Sequence, residues 1–162
     1  MEKIIKAIMV TLVLYLVLGC SEGETAGKAA PAQDFTLKTL DGKEVTLSSL
    51  KGKKVLLDFF ATWCPPCREE LKEINEIVGE YKQDNYAILC ISVDNAVKTV
   101  EKFISKYQYK MIVLFDDKEI ARSYGVTGIP SLFLVDENGD IVWSQAGALT
   151  KEELVELLKL KK

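Results

Sequence analysis

Apolar residues follow two different rhythms along this chain, and the switches between them outline the elements. Phe35-Thr36-Leu37 and Val45-Thr46-Leu47 are short alternating stretches on either side of Asp41-Gly42, a strong hairpin signal. Val55–Phe60 is a nearly unbroken apolar run interrupted only by Asp58, as in a strand covered on both faces. A helix is predicted from near Cys64 or Pro66 to about Tyr81, with Leu71, Ile74, Val78 and Tyr81 at helical spacing. Ala87–Val93 reads as a second buried strand. Asp94-Asn95 then offer caps for a helix with the stripe Val97, Val100, Ile104 and Tyr107. Ile112–Phe115 suits a short strand, and Glu119–Tyr124 a short helix ending before Gly125. Leu132–Val135 and Ile141–Ser144 form a hairpin across Glu137-Asn138-Gly139-Asp140. Thr150 and Glu153 make a capping box for a last helix that buries Leu154, Leu157 and Leu158. The order βαβα followed by ββα predicts an α/β fold, a mixed sheet flanked by helices with an N-terminal β-hairpin extension.

The chemistry concentrates in Trp63-Cys64-Pro65-Pro66-Cys67, directly after the strand Val55–Phe60. Two cysteines separated by two residues close and reopen a small disulfide with little backbone movement. A helix that starts inside the pair aims its amides and partial positive charge at the first sulfur. That favours the thiolate, the form that attacks disulfides. The spacing points to dithiol–disulfide exchange.

Composition narrows the alternatives. The chain has 162 residues, a formal charge of −3 and no histidine. Its lysines are interspersed with acids, so no concentrated basic face is available for nucleic acid. Without histidine there is no Ser-His-Asp or Cys-His catalysis and no His-bearing zinc or copper site. Proton transfer near neutral pH must use a carboxyl group of raised pKa, or the thiols themselves.

The amino terminus reads as an address. Lys3 and Lys6 precede an uncharged run from Ala7 to Leu18, which is short for a membrane span but suited to a signal-peptide core. Gly19-Cys20 resembles the lipobox of bacterial lipoproteins, in which cleavage precedes a cysteine that is then acylated. The expected organisation is a lipoprotein signal peptide over 1–19, a lipid anchor and flexible tether over 20–33, and a folded domain over 34–162. The small polar residues Ser21 to Gln33 could extend to about 40 Å at roughly 3.3 Å per residue. The domain is expected in the bacterial cell envelope, membrane-anchored and facing the periplasm or the exterior. Of four cysteines, Cys20 is then consumed by lipid and Cys90 is a buried small hydrophobe, leaving Cys64 and Cys67 as the reactive pair.

Three blocks resemble the thioredoxin superfamily, and within it the membrane-tethered TlpA/ResA-like thiol–disulfide oxidoreductases. They are the hairpin Phe35-Thr36-Leu37 to Asp41-Gly42-Lys43, the run Leu57 to Glu70, and Gly125-Val126-Thr127-Gly128-Ile129-Pro130. The resemblance covers about residues 33–160 and implies a thioredoxin-like sheet. It makes Cys64 the exposed nucleophile and Cys67 the buried resolving thiol. Ile129-Pro130 resembles the family's cis-proline loop beside the pair; proline is the residue for which a cis bond costs little. Asp58 matches the superfamily's buried acid, and Glu70, one turn after Cys67, matches an acid near the active site of the TlpA/ResA branch. Position 58 is often neutral in that branch, so a chain with both acids resembles a hybrid. Lys72 stands where many relatives have a helix-kinking proline.

The resemblance implies attack of Cys64 on a substrate disulfide, a mixed disulfide, and its resolution by Cys67. Trp63, Pro65, Pro66, Ile129 and Pro130 are the expected substrate contacts, with Phe59-Phe60 adding apolar surface. No metal or organic cofactor is required, only an upstream membrane dithiol donor. Protein disulfides are the expected substrates, apocytochrome c among them. The second proline of Pro65-Pro66 removes one more N–H from the helix start, which favours a reducing pair. The alternatives are a peroxiredoxin-like thiol peroxidase, since Thr62-x-Cys64 is similar to that branch, a copper(I)-binding chaperone using both thiols, and a scaffold lipoprotein with a structural disulfide.

Overall fold

Seven residues, Lys54–Phe60, form the strand around which the other elements are arranged. The computed structural model describes residues 30–116 and 118–160. In chain order these form β1 (Ala30–Pro31), β2 (Thr36–Thr39), β3 (Glu44–Thr46), a 3₁₀ turn (Leu47–Leu50), β4 (Lys54–Phe60), α1 (Pro65–Glu80) and β5 (Tyr86–Ser92). They continue as α2 (Val97–Tyr107), β6 (Ile112–Phe115), α3 (Glu119–Ser123), β7 (Ser131–Val135), β8 (Asp140–Ala146) and α4 (Lys151–Leu158). One sheet runs in the order β1-β8-β7-β4-β5-β6-β2-β3. β4, β5 and β6 are parallel, whereas β7 pairs antiparallel with β4 and β8 antiparallel with β7.

Both crossovers, β4-α1-β5 and β5-α2-β6, step in the same direction along the sheet. Right-handed connections therefore put α1 and α2 on one face. That face carries Leu56 and Phe60 of β4 against Leu71, Ile74 and Ile77 of α1, Val100 of α2, and Leu154 and Leu158 of α4. Val55, Leu57 and Phe59 point the other way, onto Phe35, Leu47, Ala121 and Val135. Each fully buried Leu, Ile or Phe stabilises the fold by about 1.5–3 kcal/mol. Because strand side chains alternate, Asp58 shares the face of Leu56 and Phe60 and lies beneath α1.

Several expectations shift. The expected N-terminal hairpin is present as β2–β3, and Lys38 and Thr39 pair with Phe115 and Leu114 of β6, which joins it to the main sheet. Leu47 leaves β3 and opens the 3₁₀ turn. Ile77 joins the α1 stripe as a fully buried residue, while Val97 of α2 is exposed. Asp94 and Asn95 do not cap α2, whose N-cap is Ala96 without a side-chain bond.

The tether assigned to 20–33 loses its last four residues to the domain. Ala30 and Pro31 pair with Ile141 and Asp140, and the Ala32 amide donates to the Gly139 carbonyl at 2.9 Å. The Tyr124 hydroxyl donates to the Gln33 carbonyl at 2.7 Å. Residues 30–33, expected in the tether, are thus held against the domain. Since Val135 pairs with both Val55 and Ile141, Ala30 enters at the N-terminal end of β4, opposite the end that leads to Cys64. The signal segment 1–19 and Cys20 lie outside the described residues.

Candidate active site

At the C-terminal end of β4 the chain turns through Ala61–Trp63 into α1. Asp94 fixes that turn. Its carboxylate accepts from the Thr62 amide at 2.9 Å, the Thr62 hydroxyl at 2.7 Å and the Ser92 hydroxyl at 2.8 Å. Sequence reading missed this role; an acid at the end of a buried strand, two residues after Ser92, was the available signal.

Cys64 is the N-cap of α1, with Pro65 and Pro66 in its first two positions. Both prolines fit the helical φ but lack an N–H. The first amide able to reach the sulfur is Cys67 N–H, which donates to Cys64 Sγ at 3.3 Å. Cys64 and Cys67 form a disulfide with their Cα atoms 5.3 Å apart. With the disulfide closed Cys67 is fully buried and Cys64, the expected attacking sulfur, is 4% exposed. Trp63 beside it is 67% exposed, and Pro65 and Pro66 are also exposed.

The Ile129–Pro130 peptide bond is cis. The carbonyl oxygen of Ile129 lies 3.7 Å from Cys64 Sγ. Two contacts hold this loop: Ser131 Oγ donates to the Gly128 carbonyl at 2.7 Å, and the Gly147 amide to the Pro130 carbonyl at 2.9 Å. Gly147 has φ of 106°, a conformation glycine adopts without Cβ strain. Phe59 and Phe60, expected to add contact surface, are fully buried on opposite faces of the sheet. A central strand of a covered sheet leaves neither available to a partner.

Two acids are buried in the same part of the fold, Asp58 on β4 and Glu70 on α1. Asp58 is fully buried between its neighbours Cys90 on β5 and Leu132 on β7, and among the described residues neither carboxyl oxygen has a partner at ordinary hydrogen-bond geometry. Burial, and secondarily the charge of Glu70, push the Asp58 carboxyl well above its usual range; a weak interaction with the Cys90 thiol opposes this. Glu70 is also buried, not solvated beside Lys72. Its Oε1 accepts from the Leu149 amide at 2.7 Å, while Oε2 has no partner. Burial raises the Glu70 carboxyl from its usual 4.5 to about 7, against the lowering effect of the Leu149 amide. The Cys90 thiol is fully buried and pushed well above its ordinary value, first by burial and then by Asp58. Two carboxyl groups this close to each other and this far from water favour states in which at least one is protonated.

The AhpC/TSA family matches residues 27–144. A thiol-disulfide oxidoreductase ResA of Bacillus thuringiensis is 38% identical over 134 residues, covering 82% of this chain and 76% of that protein. Among solved structures, a thiol:disulfide interchange protein of the thioredoxin family from Chlorobium tepidum has a TM-score of 0.75 at 28% identity, covering 82% of this chain and 96% of that one. The exposed lipoprotein thioredoxin Etrx1 of Streptococcus pneumoniae has a TM-score of 0.71 at 30% identity, covering 78% and 98%. These relatives, with two sulfurs bonded to each other at the start of a helix, do not favour the peroxidase and copper-chaperone alternatives. The chain belongs to the AhpC/TSA family and, with its Cys64–Cys67 pair on a thioredoxin-like fold, is a thiol–disulfide oxidoreductase.

Proposed function

We propose that this protein reduces disulfides of exported proteins while anchored to the outer side of the cytoplasmic membrane through lipidated Cys20. The observation that carries the direction is the single amide, Cys67 N–H, available to Cys64 Sγ. A thiolate with one donor, in the same part of the fold as two buried carboxyl groups, is less stabilised than one at a fully furnished helix start. Weak thiolate stabilisation favours the disulfide and makes the dithiol the better reductant.

In the proposed cycle the Cys64 thiolate attacks a client disulfide, forming a mixed disulfide and releasing one client thiolate. Cys67 loses its proton to the Asp58–Glu70 pair and attacks Cys64 Sγ. The second client sulfur leaves as a thiolate, and the enzyme is left with its own disulfide. A membrane dithiol donor then returns two electrons and two protons. Trp63, Pro65, Pro66 and the cis Ile129–Pro130 loop contact the client; the 3.7 Å approach of the Ile129 carbonyl to Cys64 Sγ supports this role. Apocytochrome c, whose cysteines must be reduced before haem attachment, is the client class proposed for this reductant. The likeness to an exposed lipoprotein thioredoxin supports the extracytoplasmic setting.

Client trapping tests the assignment of the sulfurs. Cys67→Ser in the native membrane should accumulate mixed disulfides through Cys64, and Cys64→Ser should trap few. Equal trapping by both variants would refute it.

A further inference from the structure

Beside the reactive sulfur lies a cleft of about 370 Å³ whose lining includes Trp63, Val126, Ile129, Lys118 and Arg122. It is continuous with the chemistry: Trp63 precedes Cys64, and Ile129 places its carbonyl 3.7 Å from Cys64 Sγ. One part is apolar, dominated by an indole left 67% exposed. The other carries two cations. No carboxylate lines it among the described residues.

Among the described residues neither cation is in a salt bridge. Lys118 Nζ donates to the neutral Asn95 Oδ1 at 2.6 Å. The buried acids nearby face inward. Asp94 holds Thr62 and Ser92, and Asp116 accepts from the Ile120 and Ala121 amides at 3.2 and 2.8 Å. Glu119, one turn before Arg122 on α3, is exposed and does not line the cleft. In a chain of net charge −3, the charged residues that line this cleft, among the described residues, are both cations.

We propose that this cleft selects client segments carrying a carboxylate side chain next to the disulfide cysteine, with the carboxylate held between Lys118 and Arg122 and an apolar neighbour packed on Trp63. This rests on the reductase reading and names the class of substrate it prefers. Charge complementarity of this kind acts mainly on encounter and orientation, and it weakens with salt.

The test uses the reduced full chain and three disulfide-bridged peptides that differ only in Glu, Gln or Lys beside the target cysteine. At low salt the Glu peptide should be reduced with a kcat/KM about fivefold above the Gln peptide, the size expected of two exposed ion pairs. The preference should fade towards 0.5 M salt. In the Lys118→Gln, Arg122→Gln double variant the Glu/Gln ratio should fall to about one, and Arg122→Glu should move the preference to the Lys peptide. The ratio is internally controlled by the Gln peptide, so a general loss of fold does not imitate the effect. Equal rates on all three peptides, or a ratio that survives the double variant, would overturn the assignment of the cleft. Failure to reduce any of them would overturn the reductase reading itself, and the cleft proposal with it.

Discussion

Leu149 and Glu70, 79 residues apart, meet through one 2.7 Å hydrogen bond that satisfies half of a buried carboxyl group. The other oxygen has no partner. The Glu70 carboxyl, raised from 4.5 to about 7, binds a proton more tightly in the fold than in the unfolded chain. Its contribution to stability is therefore fully present below about pH 4.5 and is lost as pH rises through about 7. A displacement of that size corresponds to roughly 3 kcal/mol. Thermal melts of the oxidised protein should show a higher Tm at pH 5 than at pH 8, and Glu70→Gln should flatten that slope. A Tm that rises with pH over this window would contradict the assignment.

Asp58, whose carboxyl interacts with the Cys90 thiol, is the proposed proton acceptor for Cys67. Asp58→Asn preserves shape but removes the titration. Resolution of the mixed disulfide should slow by roughly 10- to 100-fold, within the range for loss of a general base. Rapid-quench measurement of the mixed-disulfide lifetime reads this directly. An unchanged lifetime would leave Asp58 a buried acid without a part in the reaction.

Pro66→Ala returns an N–H to the second position of α1, where it can join Cys67 N–H in pointing towards Cys64 Sγ. The Cys64 pKa should fall by about 0.5–1, and the potential should rise by roughly 15–30 mV. Alkylation rate against pH gives the first quantity and a redox titration the second. A variant indistinguishable from the parent would show that amide count does not set the poise.

Cys90 shares the core with the active pair yet is fully buried, with its thiol pushed well above the ordinary range. In the reduced native protein, iodoacetamide should label Cys64 rapidly and Cys90 only after denaturant is added. Rapid native labelling of Cys90, read by peptide mass, would mean that the sheet opens where the structure keeps it closed.

The parts readable in the sequence are those with a local cause. β4, β5 and α1 follow from unbroken apolar runs and a 3.6-residue stripe, and the dithiol follows from its spacing at their junction. What escaped depends on partners far along the chain. β1 is two residues long, and only its pairing with Ile141 and Asp140 makes it a strand. Asp94 resembles a helix cap in isolation but folds back onto Thr62 across 32 residues. Glu70 is singled out by resemblance, but its bond to the Leu149 amide, in the loop before α4, has no signal near it in the chain. Phe59 and Phe60 do not serve as contact surface, in keeping with the nearly unbroken apolar run that contains them and implies coverage on both faces.

The claim that the Cys64–Cys67 pair is a dedicated reductant is tested most directly by a glutathione redox titration of the purified protein. The potential expected is near that of thioredoxin, about −270 mV; a value near the oxidant DsbA, about −120 mV, would contradict a reducing role.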